Sequence, residues 1–155
     1  MIRAAVLLLL LASPAAGQVG RTWHYIRSND DGSLAEAVHV HVPALGELAV
    51  MKAQARCTRA ALVTARIDPV SAQASELVGG QLGRDGRQQA FAWFKEDGTG
   101  QITARAALPE GELRLATAVG TRPWHLYDFD FASLTLWLAN RQDRRADFRI
   151  GLPLL

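Results

Sequence analysis

Turn-forming residues recur along this chain at intervals of roughly eight to twelve positions, and that spacing limits the fold more than any other feature. Asp31-Gly32, Pro43 to Gly46, Asp68-Pro69, Arg84 to Arg87, Asp97 to Gly100, Pro109 to Gly111 and Gly120 to Pro123 are all rich in residues that reverse a backbone. A parallel strand pair needs a crossover of about a dozen residues or more, and these gaps leave no room for one. Between the turns the chain alternates. Val38, Val40 and Val42 fall on one face of a strand, with Ala37, His39 and His41 on the other. Ile102, Ala104, Ala106 and Leu108 form a second apolar face, and Leu113, Leu115, Thr117 and Val119 form the next. Glu47 to Arg56 and Thr58 to Ile67 are alanine-rich, and Leu48, Met51 and Ala55 also fit a helical stripe. Val50, Val63, Thr64 and Ile67 favour strands there. The predicted fold is all-β and mainly antiparallel: a meander forming a curved open sheet or incomplete barrel, with one short helix near residues 131–140.

The most information-rich stretch is Gly120 to Leu138, GTRPWHLYDFDFASLTLWL. Read as extended chain, it puts Trp124, Leu126, Asp128 and Asp130 on one face and His125, Tyr127, Phe129 and Phe131 on the other. The two carboxylates would stand about 7 Å apart, within the range of about 5 to 9.5 Å used by paired catalytic carboxylates. Asp128, Asp130 and His125 are therefore the catalytic candidates. Any Asp-x-Asp on a strand gives that spacing, however. Asp130 precedes an apolar run whose Phe131, Leu134 and Leu138 make a helical stripe, so it also fits a helix N-cap, with Asn140 as the stop. On that reading Asp128 pairs with Arg122, and Trp124, Tyr127 and Phe129 either pack the corner or line a ligand site.

The first residues have the parts of a secretory signal peptide. Arg3 supplies the charge, Ala4 to Ala12 the apolar run, and Ala15 and Gly17 the small residues before a cleavage point at Gln18. Residues 1–17 are thus expected to be removed, leaving 18–155 as a single antiparallel β domain that is exported to the periplasm or beyond. The apolar run falls short of the ~20 residues a spanning helix needs, so no transmembrane segment is expected after cleavage. With Arg3 gone the formal charge falls from +2 to +1. The arginines are interleaved with Asp and Glu, which gives no phosphate-tracking stripe and argues against nucleic acid as a partner. Cys57 is the only cysteine, so an internal disulfide is impossible.

His39 and His41 face the same way on their strand and are the candidate metal ligands, but zinc needs three or four ligands and no third is marked by spacing. No cofactor motif is present: there is no G-x-S-x-G elbow, Walker loop or G-x-G-x-x-G. Gly79-Gly80-Gln81-Leu82-Gly83 is expected to be a bend. The last nine residues, DFRIGLPLL, look like a strand that is entered and cut off, which predicts that the chain continues in a longer protein.

A signal peptide, a long meander and the segment Trp124-His125-Leu126-Tyr127-Asp128-Phe129-Asp130-Phe131-Ala132-Ser133-Leu134 together resemble uncharacterised exported bacterial β-proteins. In layout the chain is similar to periplasmic half-barrel domains of the DUF3108 type, where a D-x-x-S/A-L segment after a strand opens a short helix. The resemblance implies a curved sheet with one apolar face and carries no catalytic residues. The expectation is a non-enzymatic envelope protein that binds an apolar small ligand or an envelope partner, with small residues such as Ala90, Ala92, Ala104 and Ala106 leaving room. The alternative is a hydrolase-type enzyme using Asp128, Asp130 and His125, with or without metal assistance.

Overall fold

The computed structural model describes residues 16–54, 60–126, 129, 132–143 and 145–153. The signal segment up to Ala15, Cys57, Tyr127, Asp128, Asp130 and Phe131 lie outside the described residues. Eight strands follow one another: β1 (Thr22–Arg27), β2 (Glu36–His41), β3 (Glu47–Gln54), β4 (Ala60–Ile67), β5 (Ala74–Leu82), β6 (Gln88–Glu96), β7 (Gln101–Leu108) and β8 (Gly111–Ala118). One helix, α1 (Ala132–Asn140), comes after them. Every strand pairs antiparallel with the next in sequence, giving a single open sheet in the order β1 to β8. This is the meander that the turn spacing predicts.

The turns close by local hydrogen bonds. Asp97 accepts from the Thr99 amide at 2.8 Å and the Thr99 hydroxyl at 2.7 Å, and Gly98 takes a φ of +79° that a side chain would resist. These bonds favour the ionised carboxyl and hold Asp97 below the usual carboxylate range. Asp68 is held down in the same way, by the amide and hydroxyl of Ser71.

One face of the sheet is the core. Val40, Val50, Leu48, Val63, Ile67, Leu77 and Ile102 point to it and are buried, and α1 packs over β3 and β4. Each such side chain removed from water contributes about 1.5–3 kcal/mol. The helix presents Ala132, Ser133 and Leu136 to the sheet, whereas Leu134 is half-buried and Leu138 is exposed. The expected stripe through Leu134 and Leu138 is therefore rotated, because two small residues let the helix sit closer. Trp124, Leu126 and Phe129 fill the rest of the cover.

Three further expectations change. Gly79-Gly80 is not a bend but the middle of β5, where the register with β6 slips by one residue. A Cβ on Gly79 would lie 2.8 Å from Phe129 Cε1, so the missing side chain is the space in which the Phe129 ring lies. Leu108, Leu113 and Leu115 were expected to point inward but stay 38%, 44% and 39% exposed, since α1 covers β3 and β4 and not the last strands. Residues 147–150 form no strand. A single parallel bridge joins Gly151 to Trp124, with hydrogen bonds to Pro123 and His125 of 2.8 and 2.9 Å.

Candidate functional site

Of the catalytic candidates only His125 lies among the described residues, and it is 1% exposed. Its Nδ1 stands 2.7 Å from the hydroxyl of Ser133, the second residue of α1, which is equally buried. Nε2 has no hydrogen-bond partner, whichever tautomer the ring adopts. Burial lowers the imidazole from 6.5 to about 4, so the ring is neutral at physiological pH. A general base must come within hydrogen-bond reach of the proton it takes. Neither His125 nor Ser133 meets solvent, so the pair has the atoms of a dyad without access to a substrate.

Of the ligand-site candidates, Trp124 and Phe129 are also inside, and Tyr127 lies outside the described residues. Trp124 is fully buried and Phe129 nearly so, with the Phe129 ring edge-on to Phe94 at 4.4 Å between centroids. Ala92 and Ala104, expected to leave ligand volume, are buried in the sheet beneath this cover, while Ala90 is exposed. Their small size is used to bring the cover down onto the sheet.

Trp124 is fastened by Gln73 and Glu96, neither of which stands out in the sequence. The side-chain amide of Gln73 accepts from the Trp124 backbone N–H at 2.9 Å and donates to its carbonyl at 3.1 Å, as a neighbouring strand would. The indole N–H donates to Glu96 at 3.0 Å. Glu96 also receives both terminal nitrogens of Arg122, one of them at 3.1 Å. Arg122 thus pairs with Glu96, whose carboxyl its guanidinium holds below the usual range, while Asp128, its expected partner, lies outside the described residues. A Gln before a strand and a Glu at the end of one carry no pattern that would have revealed them.

Beside this fastening lies an open cleft of about 680 Å³ between α1, the β4–β5 turn and the end of β6. Val70, Pro123 and Trp137 give it apolar walls, and Glu96, Arg122, Asn140 and Arg141 give it polar ones. Arg141 donates to the carbonyls of Asp143 and Ala146, at 3.2 and 2.6 Å, and to no carboxylate among the described residues. Its guanidinium lies 5.1 Å from the Trp137 ring and 4.5 Å from Phe148, and its Nη1 is buried without a partner. Asn140 Nδ2, next to it, is also buried and unmatched. Clefts of about 300–1,000 Å³ with apolar walls and a few polar groups are the usual form of a small-molecule site.

No family model, curated protein or solved structure matches this chain. What it binds or does must therefore be argued from the site alone. Among the described residues no helix is long and apolar enough to cross a membrane.

The metal candidates separate. His39 and His41 do not converge; His39 meets His24 across the β1–β2 pair, Nδ1 to Nδ1 at 2.6 Å. His41 Nδ1 is engaged instead by the Thr22 hydroxyl at 2.9 Å and the Arg21 carbonyl at 3.1 Å. His125 lies on the covered face beneath α1, while His24, His39 and His41 share the other face of the sheet.

Proposed function

We infer that the protein is a non-enzymatic exported binding protein whose ligand is a small molecule with an apolar body and an acidic group. The ligand sits in the cleft beside α1, its body against Val70, Pro123 and Trp137 and its acid towards Arg141. The observation that carries this reading is the division of space on the covered face. Trp124, Leu126, Phe129 and α1 fill the sheet's apolar face, so volume for a ligand remains at the rim, next to a cation that meets no carboxylate among the described residues. The sealed His125–Ser133 pair speaks against the hydrolase alternative, because no substrate reaches it. The signal peptide expected at residues 1–17 and the resemblance in layout to periplasmic half-barrel domains belong to the same reading and support an envelope address.

The test is a fluorescence titration of the purified protein with decanoate and with decanol, using Trp137 as reporter. Decanoate is expected to bind more tightly than decanol, and Arg141→Gln to remove the difference. Val70 is 76% exposed, so Val70→Glu should fold normally and weaken decanoate by about tenfold or more, about 1.4 kcal/mol. Undiminished binding by Val70→Glu, or no binding of either compound by the parent protein, would refute the assignment.

A further inference from the structure

The face of the sheet away from α1 carries a row of side chains that neither the core nor the cleft uses. His24 of β1 is directly opposite His39 of β2, and His39 is directly opposite Met51 of β3. Opposed residues of antiparallel strands share a face, with Cβ atoms about 4.5–5.5 Å apart, so the three side chains stand in line. The two imidazoles turn the same nitrogen towards each other: Nδ1 to Nδ1 is 2.6 Å and the ring centroids are 4.8 Å apart. Two lone pairs cannot face each other that closely. One proton lies between them, in an N–H···N hydrogen bond, and a metal cation takes its place once the rings turn their nitrogens towards a common point.

We propose that His24, His39 and Met51 form a copper site, an inference independent of the ligand cleft. Among the described residues no three His, Cys, Asp or Glu side chains gather at one point, which leaves zinc without its usual ligand set. A thioether beside two imidazoles is a different set, because soft sulfur ligands select Cu(I) and imidazole suits either copper state. The rings need only a small turn to take an ion. At a metal–nitrogen distance of about 2.0 Å, two ligands about 90° apart stand about 2.8 Å from each other, and a tetrahedral pair about 3.3 Å. The 2.6 Å of the hydrogen-bonded pair opens to the cis spacing of a tetragonal Cu(II) ion when the rings rotate their nitrogens towards a common point. Met51 then supplies the third ligand that retains Cu(I). His24 is exposed and His39 half-buried, so an ion enters from solvent without moving any element.

The experiment titrates the purified full-length chain with Cu(II) against glycine, with Cu(I) against bicinchoninate, and with Zn(II). A single equivalent of either copper state is expected to bind, with Cu(II) at least about tenfold tighter than Zn(II). His24→Ala and His39→Ala should each weaken both copper states by about tenfold or more, while His41→Ala changes neither. Met51→Leu should weaken Cu(I) by about tenfold and leave Cu(II) as it was. Paramagnetic resonance of the Cu(II) form needs no variant and should show coupling to two imidazole nitrogens. Coupling to fewer, or His24→Ala binding copper as the parent does, overturns the site. Unchanged Cu(I) affinity in Met51→Leu overturns the three-ligand assignment.

Discussion

Acid should weaken this fold through one side chain, His125. In the folded protein burial holds its pKa at about 4, whereas in the unfolded chain it returns to 6.5. Because the folded value is the lower one, the unfolded state takes up the proton first as pH falls. Stability is therefore full above 6.5, declines between 6.5 and about 4, and has lost its whole contribution below that. Each pKa unit is worth about 1.36 kcal/mol, so the loss is about 2 kcal/mol by pH 5 and about 3 kcal/mol by pH 4. A mesophilic domain has about 5–15 kcal/mol in all, which makes this a large fraction. The assay is urea unfolding at pH 7.5, 6, 5 and 4 for the parent chain and for His125→Asn, whose amide can still reach Ser133. The variant should be less stable at pH 7.5 but lose less on acidification. Every other titrating group is common to both chains and cancels in the difference. Parallel pH curves for the two proteins would refute the account, because they would mean that His125 takes up no extra proton on unfolding.

Gly79→Ala puts a methyl group 2.8 Å from the Phe129 ring and should cost about 1–3 kcal/mol by overpacking, read as a lower urea midpoint; an unchanged midpoint would mean that the ring is not held there. Protein recovered from the periplasm is expected to begin at Gln18 or within a residue or two of it, and an intact Met1 in the recovered chain would count against export.

The strands were legible because hairpin turns and period-two alternation are local signals. Val38, Val40 and Val42 announce their buried face within five residues, and the helix stop at Asn140 can be read just as locally. The cover was less legible. Whether α1 lands on Leu134 and Leu138 or on Ala132, Ser133 and Leu136 depends on how closely the helix comes down over β3 and β4, which lie more than 60 positions back in the chain. Gly79-Gly80 misled for a related reason: a paired glycine signals a bend locally, but here it is paired strand opposite an extra residue in β6, and Gly79 gives room to Phe129. The candidate site was the least legible part. Gln73 and Trp124 are 51 positions apart, and Glu96 lies 26 positions from Arg122, so no spacing rule links either pair. His24 and His39 become neighbours only once the β1–β2 register is set, and the adjacent His39-x-His41 motif drew attention to the wrong partner.

The strand order has a consequence for how the protein comes to be folded. Each of the seven pairings joins strands that are consecutive in the chain. Each therefore closes only a short loop, and the entropy cost of closure grows with loop length. A growing hairpin array can add one strand at a time, and none has to wait for a distant partner. The cover is different. Trp124 has to return to Gln73, and α1 to β3 and β4, across most of the sheet. Until that return is made, the valines and leucines of the covered face are wetted and the array has no apolar interior. The sheet's pairing is thus a local matter, while its cohesion depends on the last long-range step.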